Sequence, residues 1–193
     1  MADQPRRLRV DAARNRARLL QVAYETFAAE GLSVPIDEIA RRAGLGAGTV
    51  YRHFPTKESL YRAVVADRVQ RIVETARALL AADDPGQALQ TFLTMMVEQG
   101  ATDQGMVDAL AGMGFDIAQA APDAERSFMD ALGELLARAQ QAGTVRADID
   151  VQDVKTLLVG CQAMQRYSGD RHQTRRMVQI MTNGLTNTGA QPG

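Results

Sequence analysis

An all-α protein is predicted from three observations. Apolar residues recur at helical spacing along almost the whole chain, no segment sustains period-two alternation, and no Asn-Gly or Asp-Gly turn joins two apolar runs. The expected architecture is an N-terminal three-helix helix-turn-helix head followed by a C-terminal helical bundle. The first helix is expected over about 11–30, where Leu20, Tyr24, Phe27 and Ala28 form one stripe and Gly31 suits a left-handed C-terminal cap. Pro35 fits the first position of a second helix, because its missing N–H costs nothing there. Ile36, Ile39, Ala40 and Ala43 follow at i, i+3, i+4 and i+7, and Gly44 closes that helix. Gly44-Leu45-Gly46 turns the chain into a short third helix ending at Phe54, since Pro55 disfavours helical backbone in the residue before it.

Thr56 is a good N-cap for a fourth helix over about 57–81, with Leu60, Val64 or Val65, Ile72 and Leu79 inward. Asp83-Asp84-Pro85-Gly86 breaks the pattern. Further helices are expected at about 86–99, 105–119, 123–142, 150–168 and 171–186, and residues 188–193 read as a disordered tail.

Composition narrows the function classes. No apolar run approaches the roughly 18 residues of a membrane span. The N-terminus has no apolar stretch behind its charges and does not read as a secretory signal, and Cys161, the one cysteine, has no internal disulfide partner; the expected compartment is cytoplasmic. Net charge is −1, but it is unevenly spread: residues 1–62 carry eleven Lys+Arg against seven acids, and the remainder is acidic. A basic head on an acidic body suits a nucleic-acid binder with a separate second domain.

The turn at 44–46 joins two short helices at the spacing of a helix-turn-helix, whose second helix enters the major groove of DNA. At 100° per residue, Val50 and Phe54 point together into the head's core, so Gly48, Thr49, Tyr51 and Arg52 form the opposite face, with Ala47 at the entry. His53 lies near the edge, either as a contact or as a packed residue. Gly48 and Ala47 allow close backbone approach. Arg52 can donate two hydrogen bonds to guanine, worth about 1–3 kcal/mol of discrimination. Thr56 and Lys57 open the fourth helix at its positive end, a phosphate site. Arg6, Arg7 and Arg9 read as a basic arm along the backbone or in the minor groove, with Arg14 and Arg16 beginning the first helix nearby. Arg41-Arg42 reads equally as a phosphate contact or a solvated face.

The run from Ile36 to Leu60 resembles the signature of the tetracycline-repressor (TetR) family of bacterial regulators. Ile39-Ala40, Ala43-Gly44, Gly48-Thr49, Tyr51, His53-Phe54 and Lys57 stand where that family has them, and the resemblance covers roughly residues 12–65. It implies DNA contacts from Ala47, Gly48, Thr49, Tyr51, Arg52, His53 and Lys57. One departure is visible: the family often opens its second helix with two hydroxyl residues that bind phosphate, and here the positions hold Val34 and Pro35, with Ser33 as a substitute.

The resemblance also implies a helical body that binds a small effector and dimerises through its last two helices. On this division residues 1–55 are the DNA-binding domain, with its motif at about 35–54, and 56–187 the ligand-sensing and dimerisation domain. The segment 150–168 is apolar around most of its circumference, so it must be covered on several sides. Val154, Leu158 and Cys161, with Met177, Met181 and Leu185 of the last helix, are the expected dimer contacts. All eight internal methionines lie beyond position 94, and the flexible thioether suits an adaptable ligand surface. Met95, Met96, Met106, Met113, Phe115, Phe128, Met129 and Met164 are the expected lining of an apolar effector pocket, with ordinary core packing as the competing reading of each. Gly100, Gly105, Gly112 and Gly114 weaken the helices there.

No catalytic motif or metal-ligand cluster is present in the sequence, and no cofactor is implied; the acids at Asp103, Asp108, Asp116, Asp123 and Glu125 read as a solvated face. The expected function is a homodimeric repressor released from a palindromic operator by an apolar small molecule. The alternatives are an architectural DNA binder without effector and a transcriptional activator.

Overall fold

A computed structural model describes residues 4–112, 122–168 and 171–186, and within them the side chains of 11–100, 122–165, 172–173 and 175–186. The regular elements among the described residues are helices: α1 Gln4–Glu30, α2 Ile36–Arg42, α3 Ala47–His53, α4 Lys57–Leu79, α5 Pro85–Gly112, α6 Pro122–Gln141, α7 Val151–Ser168 and α8 Arg171–Leu185. One isolated antiparallel bridge pairs Val145 with Thr186. Residues 113–121, which include the end of the helix expected at 105–119, and the tail at 188–193 lie outside the described residues.

The boundaries of α1 and α5 differ from expectation. Helix α1 begins at Gln4 rather than near 11, so Arg6, Arg7 and Arg9 belong to a helix and not to an extended arm. Pro5 falls in the first turn, where no N–H is needed, and no glycine or proline follows until Gly31. Helix α5 is continuous, where two helices with a break near 100–104 were expected. Gly100 does not interrupt it. A Cβ there would stand 2.8 Å from the Gln162 side chain, so the glycine marks a close contact between α5 and α7 rather than a helix end.

The chain forms two compact units, residues 1–68 with 104–122, and residues 69–103 with 123–193. In the first, Leu20, Phe27, Ile39, Val50, Leu60 and Val64 are fully buried. The Phe27 and Tyr61 rings meet at 4.5 Å between centroids, and the buried Tyr61 hydroxyl donates to the Leu32 carbonyl oxygen at 2.6 Å. That bond ties α4 to the α1–α2 connection; the burial also pushes the Tyr61 phenol up to about 12. In the second unit Phe92, Leu89, Leu93, Leu132, Leu135 and Val154 form the centre of one apolar cluster drawn from α4 to α8. Truncating a buried phenylalanine of either core to alanine costs about 3–5 kcal/mol.

Helix α5 opens as its sequence prescribes. Asp84 Oδ1 accepts from the Gln87 N–H at 3.0 Å, Pro85 is the first helical residue, and Gly86 lies against Thr144.

Candidate nucleic-acid interface

The turn between α2 and α3 is built by backbone chemistry that only part of the alphabet tolerates. Gly44 has φ 66°, Leu45 N donates to Ala40 O at 2.9 Å, and Gly44 N donates to Arg41 O at 3.0 Å. This is a Schellman cap, and its left-handed residue strongly favours glycine. The Arg18 guanidinium of α1 covers the turn, 3.4 Å from where a Cβ on Gly44 would stand. Pro35 is the N-cap of α2 rather than its first helical residue, and its carbonyl oxygen accepts from Glu38 N and Ile39 N. Gly46 then begins α3 in extended backbone, its carbonyl accepting from Thr49 N at 2.9 Å and Val50 N at 3.2 Å.

Helix α3 is amphipathic over only two turns. Val50 and the C-capping Phe54 are buried, whereas Gly48, Thr49, Tyr51, Arg52 and His53 are exposed and Ala47 is half-buried. Among the described residues a Cβ on Gly48 would meet nothing within 4 Å, so no described contact requires glycine there. Arg52, and Arg14 on α1, are exposed and form no ion pair among the described residues. The Tyr51 hydroxyl donates to Asp37 Oδ2 of α2 at 3.4 Å, which restrains the ring beside the exposed face.

The neighbouring arginines are committed elsewhere. Glu38 accepts from Arg41 Nε at 2.8 Å and from Arg42 Nε at 2.7 Å, and Arg42 also donates to both carboxylate oxygens of Glu30 at the end of α1. Hydrogen bonds from Arg41 and then Arg42 hold the Glu38 carboxyl down at about 2. Arg42 is thereby a clasp between α1 and α2. Thr56 makes a capping box with Ser59: Ser59 N donates to Thr56 Oγ1 at 3.1 Å and Thr56 N to Ser59 Oγ at 3.3 Å. Lys57 follows, half-buried, its ammonium pKa lowered by that burial. Arg18 and Asp37 were not anticipated as parts of this surface; their roles depend on contacts between helices that no local pattern displays.

Residues 19–64 match the family model described as bacterial regulatory proteins, tetR family, and residues 84–187 match the SbtR-like C-terminal domain of transcriptional regulators. The chain belongs to the TetR family. A TetR transcription regulatory protein from Mycobacterium vanbaalenii, known from its crystal structure, is 59% identical and superposes with a TM-score of 0.78, covering 93% of this chain and 99% of that one. The TetR regulator SCO0520 from Streptomyces coelicolor is 32% identical with a TM-score of 0.76, covering 90% of this chain and 99% of its own. The HTH-type transcriptional regulator SrpR of Pseudomonas putida is 26% identical over 186 residues, 89% of this chain and 82% of that protein. This is a regulator of transcription with a DNA-binding helix-turn-helix, in a family of regulators rather than of enzymes. No described helix is long and apolar enough to cross a membrane.

In this TetR chain the body residues fall differently from the sequence expectation. Val154, Leu158, Cys161, Met181 and Leu185, expected at a dimer interface, are buried in the chain's own second core, and Cys161 Sγ lies 3.7 Å from Met181 Sδ. Their area is already covered, so a partner cannot bury it again. Met177 is half-buried. The outward apolar residues on α7 and α8 are instead Leu157, Val159, Met164 and Ile180, the last 63% exposed. Met164 is therefore also removed from the expected inward-facing pocket set. Of that set, Met95, Met96 and Phe128 are half-buried against the core, with the Phe128 ring 6.3 Å from Phe92, and Met129 is half-buried. Met95 borders an open groove whose other walls, Gln87, Gln90, Thr91, Thr94, Glu98 and Gln99, are polar. The Met106 side chain, Met113 and Phe115 lie outside the described residues.

Proposed function

We propose that this TetR regulator acts as a homodimeric, cytoplasmic repressor whose residues 1–55 bind a palindromic operator and whose residues 56–187 sense an apolar small molecule. The observation that carries the DNA reading is the exposed face of α3. Gly48 has open space above it and Arg52 forms no ion pair among the described residues, with Thr49, Tyr51 and His53 flanking them. In this reading Gly48 and Ala47 admit the groove floor, Arg52 reads a guanine, and Thr49, Tyr51 and His53 meet phosphates or a thymine methyl. Arg14, Thr56 and Lys57 hold the phosphate backbone. Arg42 drops out of the contact set, because Glu30 and Glu38 already occupy its guanidinium.

Dimerisation is assigned to the outward stripes of the last two helices. On α7, Leu157, Gly160 and Met164 share one side, and on α8 Met177, Ile180 and Gly184 share another. Among the described residues, no atom from outside its own helix would lie within 4 Å of a Cβ on Gly160 or Gly184, leaving both backbones open to close approach. Two recognition helices would then enter successive major grooves about 34–36 Å apart. Helix α4 starts at Lys57 beside the motif and runs on into the second unit, which makes it the coupling element. An effector preferring a dimer geometry that mismatches the operator releases DNA, and the operator weakens effector binding by the same factor.

The test is selection of bound fragments from randomised DNA, with Arg52→Ala in parallel. A palindrome from the native chain, relaxed at one base per half-site in the variant, is the expected result. Recovery of no consensus would remove Arg52 from base recognition and favour an architectural role.

A further inference from the structure

One buried polar atom in the second unit lacks a hydrogen-bond partner among the described residues. Gln165 of α7 is 8% exposed, and its Oε1 is sequestered with no hydrogen-bond partner among the described residues. Buried amide oxygens are nearly always paired, so an unpaired one points to a ligand, a water or a strained site. Gln165 continues the inward stripe of α7, following Val154, Leu158 and Cys161 at helical spacing, so its surroundings are the apolar side of the helix. The neighbouring Gln162 is turned towards α5 instead: its Nε2 donates to Met96 O at 3.2 Å, and its side chain fills the space above Gly100. Cys161, one turn back, faces Met181 through sulfur rather than through a strong donor.

We propose that Gln165 is the polar anchor of the effector site, its Oε1 accepting a hydrogen bond from a hydroxyl or N–H on an otherwise apolar molecule. This rests on the reading that the second domain senses an apolar effector, and it adds the class: an apolar body carrying one donor. A site with an unmet acceptor binds the donor-bearing molecule and rejects the analogue that lacks the donor, because the acceptor is then left buried and unpaired.

The experiment uses the full chain with two probes, 4-octylphenol and its methyl ether, the ether lacking the donor and carrying one more methyl. Affinities are measured by calorimetry for the native protein and for Gln165→Leu, and both proteins are melted without ligand. The native chain is expected to prefer the phenol by about tenfold. Gln165→Leu is expected to bind the two probes equally and, freed of an orphaned amide, to melt at the same or a higher temperature. Equal binding of both probes by the native chain overturns the anchor but leaves an apolar effector site standing. Binding of neither removes that site and the anchor with it. A clear drop in the melting temperature of Gln165→Leu assigns the amide to the fold instead, and the anchor role falls.

Discussion

On the proposed reading of α3, Gly48 is the residue at which folding and DNA binding pull in opposite directions. It occupies an exposed helical position where alanine is favoured by up to about 1 kcal/mol, and no neighbour among the described residues would clash with the added methyl. Gly48→Ala is therefore expected to raise the thermal stability of the chain slightly while weakening operator binding at least tenfold, measured by melting and by DNA titration at fixed salt. A variant that kept full affinity would show that the groove floor does not come near position 48. Glu38 gives a pH signature at the same scale. Its carboxyl is held at about 2 by Arg41 and Arg42, against an ordinary 4.5. A depressed carboxylate stabilises the folded state above its unfolded pKa, and that contribution is lost as pH falls through the folded value. The native head should thus lose stability between pH 4.5 and about 2, and Glu38→Gln should flatten that part of an acid titration. Because the pair is solvent-exposed, the difference should shrink in high salt.

At the scale of elements, Gly86 tests how tightly the start of α5 is seated. A Cβ there would stand 2.9 Å from Thr144 Cβ, and Thr144 cannot swing away without losing its Oγ1 bond to Ala139 O at 2.9 Å. Gly86→Ala should cost about 1–3 kcal/mol by overpacking, visible in chemical denaturation as a lower midpoint with unchanged slope. Several helix ends were legible in the sequence through local rules: Gly31 and Gly44 at positive φ, Thr56 as an N-cap, Pro55 after α3. Gly100 was not, because a glycine inside a helix can mean a break or a close neighbour, and only Gln162 from a distant segment decides which. The exposed face of α3 was legible because two buried residues four apart orient a seven-residue helix. The division of α7 was not. An apolar circumference states that several sides are covered, yet Val154, Leu158 and Cys161 are covered by the chain itself while Leu157 and Met164 are left outside.

For the whole molecule, that division makes the proposed assembly testable without touching either core. Ile180→Glu combined with Met164→Glu alters two exposed side chains, so each chain should still fold. The double variant is expected to sediment as a monomer and to bind a palindromic operator at least tenfold more weakly, with residual affinity resembling that for random DNA. A dimer at micromolar concentration with native affinity would place the interface on another face.

Gly160 and Gly184 carry a further consequence for the life of the protein in the cell. Each weakens its helix by up to about 1 kcal/mol relative to alanine and has no neighbour among the described residues to offset this. If their stripes close only on a second copy, a solitary chain is the less durable form and gains stability through mass action as its concentration rises. Newly made copies that fail to pair would be the first exposed to proteolysis, so the cell's stock would be depleted of half-assembled molecules that occupy one half-site without reading the other.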